Sequence, residues 1–431
     1  MYTSYIGFKF LEIYNRQTKS HYTAEEFFDK EMYPLFFENE RHLMHVSNSP
    51  FFQSPSENEL KQTGFKPYKL QYQKLQQKIE QVSLKIEKPD ASIYVGFAAK
   101  GPDQTTAGQV SNITWETPKE ELYASWIGNA LSVRVAGSQC LLIDSEPLLW
   151  HLYEGWEKYR AFIKELKQME GRQIETWNGY WVARGALNKM PPPPPDKGNK
   201  LDTIPWVEVL AKLLRWHSKQ TLLVYIFSLG QTNITYGFIN ICFPEMQRLC
   251  EGRHAFRKNM LDNKEGDASF WRQYEPDFSL REACQLGEIG IRALRPKDFA
   301  KLMDGSYSSL KLTDKNKQSL YNIQIWIKAM LNNKSDLQQL AKDLAGELVT
   351  AETKGGGRER AKVSDNAQSK ALLEAKGLTS FIEALTSFLE KNQSAAGVCR
   401  EVADKSLRIP GELFPLFKAL VRFEYAVKKN T

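Results

Sequence analysis

No CxxC pair occurs in this sequence, and its five cysteines, Cys140, Cys242, Cys250, Cys284 and Cys399, are odd in number and widely spaced. That pattern supports neither a zinc ribbon nor a disulfide framework, and it points to reduced, mostly buried thiols in a cytoplasmic protein. A run of about 18 apolar residues, the mark of a membrane span, is missing too. The opening MYTSYIGFKF has neither a basic n-region nor an apolar h-region, so no secretory signal is expected. Catalytic signatures are equally scarce. HExxH, GxSxG, the phosphate loop and a GxGxxG turn after a strand are all absent. Among the six histidines, His42 and His45 lie three apart, but no further ligand follows at metal-site spacing. No catalytic residue, metal or cofactor is therefore expected, and no internal repeat is seen.

What is present is a chain of 431 residues with ordinary globular composition, 42% hydrophobic and 25% charged. It is long enough for two or three domains and for a core that needs no staple. The net charge is +7, and most of the excess is local. Between Lys158 and Gln220 stand 12 Lys/Arg against 6 Asp/Glu. A positive stripe confined to one segment suits phosphate contact, with a solvated face as the plainer alternative.

The organisation reads as α+β. Tyr5 to Tyr14, rich in aromatic and branched residues, is expected as a strand. Thr23 and Glu26 form a capping-box pair that opens a helix. Lys69 to Lys88 reads as a polar helix, Ser92 to Ala98 as a strand, and Leu131 to Val135 with Cys140 to Ile143 as a strand pair. A long helix is expected from Glu146 to Met169, with Leu152, Trp156, Tyr159, Ile163 and Leu166 on one stripe and Arg160, Lys164 and Lys167 beside it. Pro191 to Pro195 form a short polyproline rod, read with the following DKGNK as a linker or surface loop. A helix from Pro205 to His217 precedes two strands, TLLVYIFS and ITYGFINI. In the last third helical periodicity takes over. Leu337 to Leu348, Ala371 to Leu389 and Leu413 to Val427 each carry an apolar face, with GGGRERAK joining the first two. The expected division is a mixed α/β domain over 1–310 and a helical bundle over 311–431.

Three polar loops stand out: VSNSPFFQ (46–53), AKGPDQTTAGQVSNI (99–113) and SLGQTNITYGF (228–238). Asn and Gln pair with base edges, Ser and Thr bond bases or phosphates, and Gly lets a backbone approach a duplex. Each loop is also readable as an ordinary turn.

The stretches 21–53 (HYTAEEFFDKEMYPLFFENERHLMHVSNSPFFQ), 101–113 and 229–238 resemble the CRISPR-associated large subunit of type I Cascade effector complexes, of the Myxan-like or type I-B-like branch. The resemblance runs over about the first 240 residues, and the helical tail fits the same plan. It implies a non-catalytic subunit whose N-terminal domain recognises the protospacer-adjacent motif in duplex DNA and supports R-loop formation. The helical bundle would resemble the small subunit and line the displaced strand. Guide RNA reads the sequence, and the protein reads a short duplex element. The implied partners are double-stranded target DNA, guide RNA, the other Cascade subunits, and a helicase-nuclease or transposition module acting later. On this reading Gln104, Thr105, Thr106, Gln109, Ser111 and Asn112 are the first candidates for motif reading. Asn48, Gln231, Thr232 and Asn233 are the second. Lys100, Arg160, Lys164, Lys167, Arg172 and Arg184 are the candidate phosphate contacts. Three alternatives stay open. One is a general RNA- or single-strand-binding protein stacking bases on Trp177, Tyr180 and Trp181. The others are an enzyme of unlisted type and a scaffold without DNA contact.

Overall fold

The computed structural model describes all residues except 47, 84, 89, 98–100, 103–109, 137, 185–198, 218, 229–233, 261–273, 286, 304–313, 332–334, 355–358 and 431. For 184, 234–236, 252–260, 288–289, 314–318, 335, 354, 359–366 and 430 it describes the backbone alone. The fold is α+β, and the chain forms two compact units. The first is Met1–Phe243 with Leu280–Glu288, and the second is Pro244–Ser279 with Ile289–Thr431. The helical unit thus also takes in residues upstream of 311.

In the first unit, helix α1 (Tyr2–Thr18) replaces the strand expected over Tyr5 to Tyr14. Its buried residues include Thr3, Ile6, Gly7, Phe10, Leu11, Ile13 and Tyr14, which is helical spacing hidden under aromatic and branched side chains. The partner helix decides the outcome. After the short helices α2 (Ala24–Phe27), α3 (Tyr33–Phe36) and α4 (Glu57–Thr63), the polar α5 (Pro67–Ser83) and strands β1 (Ile86–Glu87) and β2 (Trp115–Glu116), helix α6 (Lys119–Ala130) crosses α1 at backbone contact. A Cβ on Gly7 would sit 1.9 Å from the Ala124 carbonyl oxygen, and one on Gly128 would sit 1.8 Å from that of Thr3. Only glycine permits that approach, and this tertiary contact outweighs local strand propensity. The capping box at α2 is present, with the Thr23 hydroxyl accepting from the Glu26 amide and the Glu26 carboxylate accepting from the Thr23 amide.

Ser92 to Phe97 forms turns where a strand was expected, and Ala98 lies outside the described residues. Asp90 takes the amides of Ser92, Ile93 and Tyr94. Ile93, Tyr94 and Val95 are all buried instead of alternating. Their backbone groups bond to side chains: the Trp126 indole donates to the Ile93 carbonyl, Thr3 donates to the Val95 carbonyl, and the Val95 amide donates to Ser125.

The strand pair appears as β3 (Val133–Val135) and β4 (Gln139–Ile143), with Val133 opposite Leu141. Helix α7 (Glu146–Glu165), α8 (Ile174–Arg184) and α9 (Trp206–Leu213) follow. Then come β5 (Thr221–Ser228) and β6 (Ile234–Cys242), antiparallel as expected, with their turn outside the described residues. The sheet runs β3-β4-β5-β6 and ends on the two-residue strand Glu288–Ile289, where the chain passes between units. Helix α7 stops at Glu165, short of Met169, because Leu166 leaves helical geometry and Arg41 takes the carbonyls of Leu166, Lys167 and Met169. Trp177 and Tyr180 on α8 are buried, Trp177 fully, so they pack the core.

The second unit is helical. Its longer elements are α10 (Phe243–Met260, from its second residue on), α11 (Asp314–Met330), α12 (Ser335–Lys354), α13 (Glu359–Glu374), α14 (Leu378–Lys391), α15 (Ala396–Arg408) and α16 (Phe414–Asn430). Leu337, Leu340, Ala341, Leu344, Ala345 and Leu348 are all buried. The face expected over Ala371 to Leu389 belongs to two helices. The chain breaks at Gly377, which takes an extended conformation, and Lys418 and Arg422 cap the carbonyls of Ala375 and Leu373.

Candidate nucleic-acid interface

Three backbone segments of the first unit meet at one end of α7. The Arg172 amide donates to the His42 carbonyl at 2.7 Å, and the Ile174 amide donates to that of Leu43 at 3.0 Å. Glu170 is tied to Asn199 at 2.9 Å, and the Leu201 amide donates to the Gln173 side chain at 2.8 Å. Gly171 fits this crossing because a Cβ there would lie 2.4 Å from the His42 carbonyl oxygen. Between these segments and Arg134 of β3 opens a cleft of about 720 Å³. Arg41, Arg134, Arg172 and Lys200 line it, against the carboxylates Glu40 and Glu170.

The cations differ in how far they are already engaged. Arg41 holds the end of α7 through three carbonyls at 3.2 to 3.4 Å. Lys200 faces Glu170 at 3.6 Å, with both side chains exposed. Such a pair is worth little and yields to a competing anion. Arg172 is exposed, in left-handed backbone geometry (φ 63°), with its guanidinium 5.7 Å from the centre of the Phe52 ring. Phe52 is 43% exposed and meets His45 edge-on at 4.9 Å. Burial, then Arg172 and Arg160, pull His42 down to about 4, and burial with Arg172 lowers His45. The permanent charge on the walls therefore comes from arginine and lysine.

Of the candidate residues, Arg172 lies on this cleft and Asn48 lies in the adjoining loop, exposed, with φ 60°. Arg160 is corrected. It is 7% exposed, and its guanidinium donates to the carbonyls of Leu35, Phe36 and Arg41 at 2.5 to 3.2 Å, so it is not presented to a ligand. Lys164 and Lys167 are exposed near the end of α7. Ser111 and Asn112 do not line the cleft. The Ser111 hydroxyl accepts from the Ile113 amide, and the Asn112 side chain accepts from Lys88 at 3.0 Å. Lys100, Gln104, Thr105, Thr106, Gln109, Gln231, Thr232 and Asn233 lie outside the described residues, as does the side chain of Arg184.

Sequence reasoning did not select Arg41, Arg134, Lys200 or Phe52. Phe52 sits in a loop chosen for its polar residues, and Lys200 closes the stretch read as a linker. Nothing in sequence spacing brings these residues together.

The enzyme alternative has one Ser–His contact to weigh. Ser145 Oγ lies 2.5 Å from His217 Nε2, whose Nδ1 lies 2.9 Å from Gln220 Oε1. Ser145 is 3% exposed, and its hydroxyl caps α7 by accepting from the Leu148 amide. That is a helix-capping arrangement. Among the described residues no group of three or more His, Cys, Asp and Glu side chains is placed to hold a metal ion. All five cysteines are free thiols. No described helix is long and apolar enough to cross a membrane. No family model matches the chain, and no curated protein matches it.

Proposed function

We propose that this chain is a non-catalytic, cytoplasmic DNA-recognition subunit, the large subunit of a type I CRISPR RNA-guided surveillance complex. The observation that carries the DNA-binding part is the cleft. It gathers Arg134, Arg172 and Lys200 beside the 46–53 loop, one of the three polar loops singled out in the sequence. Cations with few commitments beside an exposed aromatic ring and an exposed Asn suit phosphate contact next to a base. The assignment to a CRISPR complex rests on the sequence resemblance. On this reading the first unit engages the flanking motif in duplex DNA, and the helical unit borders the displaced strand. Guide RNA, the other complex subunits and a downstream helicase-nuclease or transposition module are the partners.

Two measurements test it. Titration of the full chain with duplex DNA is expected to give an affinity that falls linearly with the logarithm of salt. A library of flanking motifs is expected to show preference for one short duplex element. Binding without salt dependence would overturn the phosphate role, and preference for single strands of any sequence would favour a general single-strand binder. Purification through a tagged chain is expected to bring down guide RNA and backbone subunits. Their absence would remove the CRISPR assignment.

A further inference from the structure

We propose that the cleft beside Arg172 receives a single unpaired nucleotide, with its phosphate on Arg134, Arg172 and Lys200 and its base against Phe52. The inference rests on the DNA-binding reading above and narrows it.

Size is the first argument. A volume of about 720 Å³ lies in the ~300–1,000 Å³ range of clefts that bury a whole small molecule. A lone phosphate would fill little of it, and a duplex cannot enter. Charge is the second. With Arg41 committed to the end of α7, three cations remain on the walls; of the two lining carboxylates, Glu40 and Glu170, the second faces Lys200 in an exposed pair at 3.6 Å. The backbone contacts around Gly171 fix where Arg172 leaves the chain, and its guanidinium lies 5.7 Å from the centre of the Phe52 ring.

His42 also lines the cleft and is 4% exposed, with a hydrogen bond to the Phe51 backbone and its Nδ1 buried. A neutral imidazole can donate or accept, and a ring turned toward the cleft would meet a base or sugar edge. Last, Phe52 lies beside the cleft and not on its wall, next to the lining residues Arg172 and His45; it is 43% exposed, with the Arg172 guanidinium 5.7 Å from its ring centre and the His45 ring edge-on to it. An exposed ring next to cations is the usual platform for one base, because every base has a π-face.

The test uses the full chain and two DNA duplexes of equal length, one fully paired and one with a single unpaired adenine replaced by 2-aminopurine. The unpaired duplex is expected to bind about tenfold more tightly, and its 2-aminopurine fluorescence is expected to be quenched on binding. Phe52→Ala should bring the two affinities together and abolish the quench. Phe52→Leu, which keeps an apolar side chain without a ring, should do the same. Arg172→Gln should weaken both duplexes. Equal binding of the two duplexes by the unaltered chain, or a preference that survives Phe52→Ala, overturns the inference and leaves the DNA-binding reading standing. If neither duplex binds, both fall together.

Discussion

Arg160 and Arg172 belong to one basic stretch of sequence and carry the same side chain, yet they occupy opposite environments. Arg160, on α7, is buried and donates to three backbone carbonyls. Burial pulls its guanidinium down to about 10, which leaves it charged at neutral pH. Arg172, in the turn after α7, is exposed on a cleft and rests near an aromatic ring. The first helps hold the unit together and the second is open to a ligand. Charge density along a sequence does not separate these roles, because both raise the local net charge equally. What separates them is whether the neighbouring backbone has already claimed the donors.

The largest effect that would break or confirm this contrast belongs to Arg160. Arg160→Met is expected to destabilise the first unit by about 3–5 kcal/mol, because the carbonyls of Leu35 and Arg41 lose a charged donor and that of Phe36 keeps only the Leu43 amide. Denaturant unfolding checks it, with DNA affinity per folded molecule unchanged. A small stability loss with uniformly weaker DNA binding would return Arg160 to the phosphate contacts.

A second buried charge sharpens the comparison. Glu175 lies just beyond Arg172 on α8, and burial pushes its carboxyl up to about 7 from 4.5. Between these values the unfolded chain has released the proton that the folded chain keeps. Stability therefore falls as pH rises from about 4.5 to 7, by on the order of 3 kcal/mol for this group. His42 and His151, both held near 4 by burial, act in the opposite sense. Below pH 6.5 the unfolded chain takes up protons that the folded chain refuses, so stability falls as pH drops toward 4. The two effects overlap and partly cancel in the parent protein. Glu175→Gln should gain stability relative to the parent steadily from pH 4.5 to 7, while Glu208, also pushed up to about 7 by burial, still opposes the histidine slope. A pH-independent difference would mean the carboxyl titrates normally.

The same division between open and claimed groups explains what the sequence disclosed. The β3/β4 and β5/β6 strands and the Leu337–Leu348 face were legible because their periodicity is local, whereas of the face expected over Ala371 to Leu389 only Ala375 and Leu385 are buried, with Leu372, Leu373, Phe381 and Phe388 beside them. Helix α1 was not, because the deciding contact, Gly7 and Thr3 against Ala124 and Gly128, spans more than a hundred residues. The turn at Asp90 to Phe97 was missed for a related reason. Its backbone groups are satisfied by side chains of α1 and α6, which no short window shows. Arg172, named from the sequence as a candidate phosphate contact, lines the cleft, whereas Arg134 of β3 and Lys200, which line it too, come from segments with no common pattern.

Arg172 itself gives the next effect in size. Arg172→Gln is expected to leave stability within about 0.5 kcal/mol, as for other exposed positions. It should weaken binding to all DNA sequences alike and reduce the salt slope by about 1. Equilibrium binding at several salt concentrations reads both. A change in motif preference without a change in slope would make Arg172 a base contact and not a phosphate contact.

Lys164 and Lys167 should show the smallest effect, and they test whether exposure alone makes a cation functional. Both are exposed near the end of α7, and neither lines the cleft. At about 0.15 M salt, charges acting across more than ~8 Å of solvent are largely screened. A reversal to Glu at both positions should therefore leave stability within about 0.5 kcal/mol. It should weaken DNA binding measurably at low salt and hardly at all near physiological salt. Arg172→Gln should instead keep a clear deficit at both, because its side chain would sit directly against the phosphate. If the double reversal matches Arg172→Gln at physiological salt, the DNA path extends along the exposed end of α7, and the cleft is one station on a longer surface.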